Sequence, residues 1–344
     1  MRSLGRVVLL DSPSQERCGF FLRRHGVTQL QTPATEVELQ HEHSDVEKVV
    51  DPKQKAIILT SVILPFVALA VGVYFAWGHA FDWSQLGIVL FMYFFSGLGV
   101  TLGYHRLFTH SSYQAVRPLQ FVLGVMAGMA VEGPLIWWVA THRRHHQHSD
   151  CELDPHSPHA ALPPNATFRD RVKCFIHAHV GWLITDHETD SMRYAPDLEA
   201  DPMMRMLSRY FPLLVILGLA LPTGLGWLAG GAYGALLGFL WGGLARIALL
   251  HHITWSINSV CHVWGAKTFR SGDESRNNVL MGLLGFGEGW HNNHHAFPTS
   301  ARHGLQWWQF DLSWTLIRVL ETCGLVWKVK VPTAERQREK LLHA

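Results

Sequence analysis

Residues 289–295 read Gly-Trp-His-Asn-Asn-His-His, which places three histidines at positions i, i+3 and i+4. On a helix this spacing puts three imidazoles on one face. The same spacing recurs in residues 141–146, which read Thr-His-Arg-Arg-His-His. Because neutral imidazole is the commonest metal ligand in proteins, the two stretches predict a metal site and a fold that brings them together.

Two smaller histidine groups extend this pattern. Residues 105–110 read His-Arg-Leu-Phe-Thr-His, and residues 258–262 place an asparagine four positions before a histidine. The four groups together supply nine histidines: His105, His110, His142, His145, His146, His262, His291, His294 and His295. A single zinc ion takes three or four ligands, so nine candidates suit two ions. His105 and His110 are five positions apart, so they would lie on different sides of a regular helix. Either the helix loosens there or the two residues serve different metals.

The composition is that of a membrane protein rather than a soluble one. Of the 344 residues, 48% are hydrophobic and 16% are charged, whereas about a quarter are charged in typical soluble domains. The net charge of +2 gives no reason to expect a nucleic-acid partner. The five cysteines form no C-x-x-C pair, which argues against an iron–sulfur site.

Four uncharged or nearly uncharged runs are long enough to cross a bilayer. They cover residues 56–77, 86–104, 211–232 and 233–250. We therefore expect an all-α integral membrane protein with four transmembrane helices. A cytoplasmic helical cap, formed by 105–209 and 254–332, would hold the histidines. Polar tails, 1–54 and 333–344, would flank this central region of 55–332.

A fifth apolar run, residues 121–140, contains Glu132 and the pair Gly133-Pro134. If it crossed the bilayer, His105 and His142 would lie on opposite sides of the membrane. We therefore expect a buried or interfacial helix. Arg246, inside the fourth run, should face the protein interior or extend toward the polar side, because an unpaired charge is costly in lipid.

The distribution of Lys and Arg predicts the orientation in the membrane. The loops at 78–85 and 225–233 contain neither residue, whereas the tails and the predicted cap contain many. Cytoplasmic loops are enriched in Lys and Arg. Both termini and the histidine site are therefore expected on the cytoplasmic side of a multi-pass protein.

The site has few candidate carboxylate ligands. Glu288 and His291 form an E-x-x-H pair, but we expect Glu288 to orient an imidazole rather than to bind metal directly. Asp150, Asp154 and Glu132 receive the same provisional role. Two redox metals at a membrane boundary could activate O₂ against an unactivated C–H bond, which acid–base side chains alone cannot oxidise. A zinc hydrolase is less well supported, because neither H-E-x-x-H nor G-x-S-x-G occurs.

The motifs at 105–110, 142–146 and 291–295 resemble the three histidine boxes of the membrane fatty acyl desaturases. The similarity is strongest to the stearoyl-CoA (delta-9) type and its bacterial relatives, and it covers about residues 50–332. It implies that the nine histidines bind two irons, with Asn258 acting through a water. It also implies that Trp138, Thr254 and Trp255 line an acyl tunnel. Zinc is expected to replace iron in some recombinant samples, because imidazole binds several divalent ions.

The resemblance also implies a reaction and its partners. O₂ and two electrons would be used to insert a cis double bond, of the delta-9 type, into a saturated acyl chain. Acyl-CoA is the expected substrate, with acyl carrier protein or lipid as alternative carriers. No fused cytochrome b5 follows residue 332, so we expect a separate ferredoxin or b5-type donor with its reductase.

Two other activities are weighed against desaturation. A membrane hydroxylase or alkane monooxygenase would use similar histidine boxes and differ only after hydrogen abstraction. A metal transporter would place histidines within the membrane runs, which are nearly free of them.

The second membrane run is expected to close the tunnel, because it leads directly into His105. A helix rises about 1.5 Å per residue, so Tyr93 would lie roughly 18 Å from His105. Tyr93 or one of its neighbours Met92, Phe94 and Phe95 is the predicted end of the tunnel.

Overall fold

The computed structural model describes residues 52–76, 83–185 and 189–342. The predicted tail 1–54 therefore lies outside the described residues except for its last three positions. The described chain is mostly helical, and its strands pair Gln114–Ala115 with Val326–Trp327 in antiparallel register. The expected all-α class thus holds apart from this short pairing, which joins the segment after the first histidine box to the C-terminal region.

The helices are numbered in chain order. They are α1 (Pro52–Ala76), α2 (Trp83–Leu98), α3 (Arg117–Gly128), α4 (Leu135–His148), α5 (Phe168–His179), α6 (Ser191–Tyr194), α7 (Pro196–Ala200), α8 (Pro202–Arg209), α9 (Phe211–Leu237), α10 (Arg246–Val263), α11 (Val279–Leu284), α12 (His291–Ala296), α13 (Leu312–Thr322) and α14 (Ala334–Lys340). Two π-helical segments, Gly99–Thr109 and Gly238–Ala245, continue α2 and α9, and a 3₁₀ turn follows α5 at Gly181–Ile184.

Two helical stretches are long and apolar enough to cross a membrane, Trp83–Thr109 and Phe211–Val263. A shorter apolar segment, Val62–Tyr74, lies within α1. The two long stretches contain the predicted runs 86–104, 211–232 and 233–250, and the shorter segment Val62–Tyr74 lies inside the predicted run 56–77. Their length and composition support membrane association.

A glycine turn divides the longer stretch into two arms. Gly230 and Gly231 have non-helical backbone angles, and Gly231 has a positive φ of 61°. On either side of the turn the arms approach closely, since a Cβ on Gly226 would lie 2.1 Å from the carbonyl oxygen of Gly234. Small residues let helix backbones pack at such short distances. The stretch is therefore a helical hairpin, as the boundary predicted between 211–232 and 233–250 requires.

The apolar run 121–140 does not form one helix. It is divided between α3 and α4, and the connection includes Val131 at φ 66° and Gly133 at φ 114°. Arg246, fully buried in the hairpin, donates to the carbonyl oxygens of Met129 (2.8 Å) and Gly218 (3.0 Å). Its charge thus faces the protein interior, where it satisfies one backbone carbonyl at the start of the connection and one in α9.

The C-terminal residues pack on the cap instead of forming a separate tail from residue 333. Within them, α14 ends next to a β-bridge between Leu341 and Phe269, and the backbone N–H of Arg270 donates to the carbonyl oxygen of Lys340 at 2.8 Å. Lys340 also donates through Nζ to the carbonyl oxygen of Ala296, the last residue of α12. The predicted boundary at 332 therefore lies inside the packed region.

Candidate metal centre

Five histidines from three elements form the first cluster. It contains His105, His110, His142, His146 and His294, and one ring nitrogen of each lies within 4.8 Å of those of the others. The closest contacts join Nε2 atoms: His105 to His294 at 3.1 Å, His146 to His142 at 3.1 Å, and His294 to His146 at 2.9 Å. We call this set the five-histidine cluster.

The remaining four histidines form a second cluster beside it. His145, His262, His291 and His295 are all buried, and their ring nitrogens also lie within 4.8 Å of one another. The Nε2 atoms of His262 and His291 are 3.1 Å apart. The rings of His146 and His295, one from each cluster, have centroids 4.4 Å apart. This four-histidine cluster therefore adjoins the first, and the structure brings together all nine histidines singled out in the sequence.

The first histidine pair reaches a single cluster because its helix is loosened. His105 lies in the π-helical segment Gly99–Thr109, and the backbone N–H of His110 bonds to the carbonyl oxygen of His105 at 3.2 Å. This i→i+5 bond is the mark of a π-turn, a feature often found at functional sites. The two rings are consequently 4.9 Å apart. The alternative that the pair serves two different clusters is not what the structure shows.

Four of the nine imidazoles have a carboxylate oxygen within hydrogen-bonding distance of Nδ1. Nδ1 of His105 lies 2.6 Å from an oxygen of Glu288. Nδ1 of His145 lies 2.9 Å from an oxygen of Asp154, and Nδ1 of His262 lies 3.0 Å from an oxygen of Asp150. A carboxylate at Nδ1 fixes the ring and its tautomer, so that Nε2 keeps its lone pair for a metal. The structure thus places Glu288, Asp150 and Asp154 in the orienting positions expected from the sequence.

The fourth supporting carboxylate, Asp273, was missed in the sequence. Its oxygen lies 2.6 Å from Nδ1 of His295, and it also accepts hydrogen bonds from Ser271 and Ser275. Asp273 lies in a loop 22 residues before its histidine. No helical spacing connects the two residues, so only the folded loop reveals the pair.

Glu288 is also the centre of a buried charge network. Besides His105, it contacts Arg106 and His303, at 3.2 Å in each case. Arg106 is fully buried and forms a second ion pair with Asp311 at 3.0 Å. Burial by itself would raise the pKa of Glu288, but His105, His303 and Arg106 around the carboxylate hold that pKa well below its usual value. An ionised Glu288 suits the role of accepting the Nδ1 proton of His105.

The chemistry of the clustered nitrogens fits bound cations. The Nε2 atoms of His110, His145 and His295 are buried without a hydrogen-bond partner among the described residues. Buried polar atoms are rarely left unpaired. Burial, reinforced by neighbouring imidazoles, also holds the pKa of His142, His146 and His294 well below the usual value. Neutral imidazoles whose lone pairs converge form a ligand set for a nitrogen-binding metal such as iron or zinc.

A narrow cavity of about 80 Å³ leads to these histidines. His105, His142 and His291 form part of its wall, and Trp138, Thr254, Trp255 and Asn258 form another part. The three residues predicted to contact an acyl chain therefore line one cavity together with members of both clusters. Asn258 lies on the same helix as His262, and the cavity places it near the four-histidine cluster.

Tyr93 is not among the residues that line this cavity, and its place at the end of an acyl tunnel stays a prediction. Its hydroxyl donates to the carbonyl oxygen of Leu284 at 2.6 Å, and its ring lies 5.2 Å from that of Phe286. Phe286, Gly97 and Leu250 are the residues of this region that form the wall. Phe286 comes from the loop after α11, so a side chain distant in sequence forms the cavity wall next to Tyr93.

Glu132 also differs from its provisional role. It contacts no imidazole of either cluster; its oxygens accept hydrogen bonds from Thr254 at 2.7 Å and from Trp138 at 3.2 Å. The carboxyl lines the cavity. Burial raises its pKa to about 7, although these two hydrogen bonds oppose the shift. Glu132 is therefore a wall residue of the cavity, beside the two predicted substrate contacts.

Known proteins are similar in sequence to most of this chain. The fatty acid desaturase family matches residues 81–321. The chain is 38% identical over 281 residues to a hex-5-enoyl-[acyl-carrier protein] acetylenase of Moorena producens, covering 81% of this chain and 87% of that protein. It is 40% identical over 270 residues to an sn-1 stearoyl-lipid 9-desaturase of Anabaena variabilis, covering 77% and 92%.

A third relative is the acyl-CoA C20 Delta5-desaturase of Anemone leveillei, which is 36% identical over 264 residues and covers 75% of this chain and 78% of its own length. The three relatives thus act on acyl chains held by three different carriers. The region matched by the family contains all nine clustered histidines and their four carboxylates. The family match over residues 81–321, together with these relatives, shows that the chain belongs to the fatty acid desaturase family.

Proposed function

We propose that this protein is an O₂-dependent acyl desaturase that inserts a cis double bond at the delta-9 position of a saturated chain. The observation that carries the proposal is the cavity whose wall includes His105, His142 and His291 beside Trp138 and Trp255. An apolar wall that meets a metal-binding cluster can hold a methylene chain against the metals. The delta-9 position is supported by the Anabaena relative and by the resemblance to delta-9 enzymes.

Two irons are the proposed cofactors, one in each histidine cluster. Bound there, they would supply the activation of O₂ and the removal of two hydrogens from the chain. The residues of the protein itself orient the ligands through Glu288, Asp150, Asp154 and Asp273, as described above. Asn258 is proposed to hold a water toward the four-histidine cluster. Zinc is a substitute that the same imidazoles would accept without redox activity.

The cavity residues position the substrate and exclude water. Trp138 stacks on His142, with ring centroids 5.1 Å apart, so the wall of the cavity continues directly into the five-histidine cluster. Thr254 and Trp138 both donate hydrogen bonds to the carboxylate of Glu132, which fixes the positions of these two side chains in the cavity wall. An oxidant formed in such a closed site would meet the chain rather than bulk water.

The membrane arrangement is part of the proposal. The two arms of the glycine hairpin, the stretch Trp83–Thr109 and α1 would provide four spans, with both termini and the site on the cytoplasmic side. The absence of Lys and Arg from the loops 78–85 and 225–233 supports this orientation. Electrons are proposed to come from a ferredoxin or b5-type donor with its reductase.

The acyl carrier is the most specific part of the proposal. The resemblance favours acyl-CoA, whereas the relatives described above use acyl carrier protein, lipid and CoA.

Product analysis tests the proposed reaction. The protein should be expressed in a host that makes no unsaturated fatty acids, and the total acyl chains analysed by mass spectrometry. We expect products that lack two hydrogens and carry a cis double bond, and none with an equally expressed His294→Ala variant. Products that gain one oxygen would show the alternative, a membrane hydroxylase or alkane monooxygenase, and would refute the desaturase proposal.

A further inference from the structure

We propose that an open groove beside the cavity binds the phosphate-bearing headgroup of a membrane glycerolipid whose acyl chain enters the cavity. This inference rests on the proposed function, because it assigns the carrier of the chain that is desaturated. It concerns a surface that contains none of the nine histidines. Its residues come from the start of α4, from residues 189–199 and from α8.

The groove is large enough for a headgroup and open to solvent. Its volume is about 610 Å³, compared with about 80 Å³ for the buried cavity. Pro134 and Trp137, at the start of α4, line it together with Arg205, Ser208 and Arg209 of α8. A mostly apolar cavity beside a larger groove of mixed polar and apolar lining matches the two parts of a lipid, a thin chain and a bulky head.

The groove and the cavity meet at one side chain. Trp137 lines both of them. Its ring is stacked on that of Trp182, with centroids 5.9 Å apart and an interplanar angle of 6°, and Trp182 also lines the cavity. A molecule with its head in the groove could therefore extend its chain past this indole pair toward the histidines.

The charge of the groove favours an anionic group. Arg205 and Arg209 are exposed and one helical turn apart on α8, a spacing that places both side chains on one face. Among the described residues, Arg209 has no hydrogen-bond or ion-pair partner. The single carboxylate of the groove, Glu199, accepts a hydrogen bond from Ser191 at 2.6 Å. Guanidinium groups pair strongly with phosphate oxygens, so a phosphodiester is the chemistry that fits.

The position of the groove selects a lipid as the source of that phosphate. Its last residue, Tyr210, is 54% exposed and directly precedes the apolar stretch that begins at Phe211. Met206, on the same helix, is also exposed. Arginine and tyrosine next to a membrane stretch are typical of the lipid headgroup level. A carrier dissolved in water would not need a site at this level.

Direct binding tests the assignment without relying on activity. Purified, iron-loaded protein in detergent would be titrated with phosphatidylglycerol that carries a brominated chain, which quenches tryptophans lining the cavity. The test variant is Arg205→Gln/Arg209→Gln. The matched control is Arg169→Gln/Arg171→Gln, which removes two exposed arginines from α5, away from the groove. Arg209→Gln alone serves as a milder variant, since this side chain makes no hydrogen bond or ion pair with a described residue.

We expect the apparent Kd for phosphatidylglycerol to rise about twentyfold in the double variant and about fivefold in Arg209→Gln, since one arginine near a membrane surface contributes roughly a factor of five. The control pair should change it less than twofold. Brominated monogalactosyldiacylglycerol, which has no phosphate, should bind the wild type and the double variant alike.

Three outcomes would overturn the inference. They are an unchanged Kd in the double variant, an equal loss of galactolipid binding, and a loss of stearoyl-CoA binding as large as that for phosphatidylglycerol. The last outcome would make the groove a site for the phosphates of CoA. Desaturation of the three substrates by the wild type is measured separately with a donor present. If none of them is desaturated, the proposed function fails, while the binding comparison still decides whether the groove recognises phosphate.

Discussion

The Asp273 carboxylate lies 2.6 Å from Nδ1 of His295, and this contact completes a set in which one carboxylate stands behind an imidazole at four places in the site. Because the Nδ1 atom is occupied, the Nε2 atom of His295 points into the four-histidine cluster without a partner among the described residues. The pairing predicts that Asp273 contributes to metal retention although it is not a ligand.

Changing Asp273→Asn should weaken iron binding by at least about tenfold, because carboxylates behind ligating histidines typically contribute tenfold to a hundredfold in metal affinity. The measurement is the rate at which purified protein loses iron to a chelator. Asp170→Asn is a suitable control, since Asp170 only caps α5 on the outside of the protein. Equal rates of iron loss in the two variants would show that the His295 contact is unimportant for the metal.

The wall residue Phe286 should limit chain length. Phe286→Ala would open the cavity toward Tyr93, and we expect the variant to accept chains longer by about two to four carbons, at roughly 1.25 Å per methylene. The position of the double bond, counted from the carboxyl end, should not change, because the histidine clusters fix the reacting carbons. Gas chromatography of the products from mixed-length substrates provides the measurement.

Tyr93→Phe is the matched control for this experiment. It removes the hydroxyl that donates to Leu284 but leaves the aromatic ring behind Phe286. Its chain-length profile should equal that of the wild type. A shift in Tyr93→Phe together with none in Phe286→Ala would place the end of the tunnel where the helix alone predicted it.

Glu132 should make stability depend on pH. Burial raises its pKa to about 7, against an ordinary value of about 4.3 in the unfolded chain. The folded protein then binds more protons than the unfolded one between these values, so this contribution to stability is present below about pH 4 and is lost as the pH rises through 7. The loss should be about 2 kcal/mol, because one pKa unit corresponds to about 1.4 kcal/mol and the side chain partly faces the cavity.

Thermal unfolding at pH 5 and pH 8 measures this effect. Glu132→Gln keeps the shape of the side chain and removes its titration. Between pH 5 and pH 8 the unfolding temperature of the wild type should therefore fall further than that of the variant. The comparison cancels the histidines that the two proteins share. A difference independent of pH would mean that the carboxyl ionises normally in the folded state.

Repeated turnover should require an external electron donor. No haem or iron–sulfur motif is recognisable in the sequence, so protein, acyl substrate and O₂ alone should give at most one turnover per chain. Addition of a ferredoxin or b5-type carrier with its reductase should give repeated turnover. Electrostatic docking of the carrier predicts that the turnover rate falls as the salt concentration rises. Sustained turnover in the absence of any donor would contradict this expectation.

The sequence predicted which histidines converge but not how they divide. His145 and His146 are adjacent, as are His294 and His295, and each pair is split between the two clusters. Adjacent positions on a helix point in directions about 100° apart, so two neighbouring imidazoles can serve two sites. The H-x-x-H-H spacing contains this possibility, but only the packing of α4, α10 and α12 assigns each ring.

The features that the sequence missed depend on loops. Glu288 could be found because it lies three residues from His291, whereas Asp273 reaches His295 only through a polar loop. Tyr93 was placed at a reasonable distance along α2, but distance along a helix does not predict which distant side chain fills the space beside it. Phe286 fills that space because its own loop turns back at Phe286 and Gly287, both with positive φ.

Iron content tests the central claim, that two clusters each hold a metal. Wild-type protein purified in active form should contain two irons per chain. His145→Ala, which removes a member of the four-histidine cluster, should contain about one and should be inactive. His251→Ala should retain two, because His251 bonds to the carbonyl oxygens of Ala130 and Val131 and belongs to neither cluster. Full activity with one iron per chain, or two irons and normal activity in His145→Ala, would contradict the account.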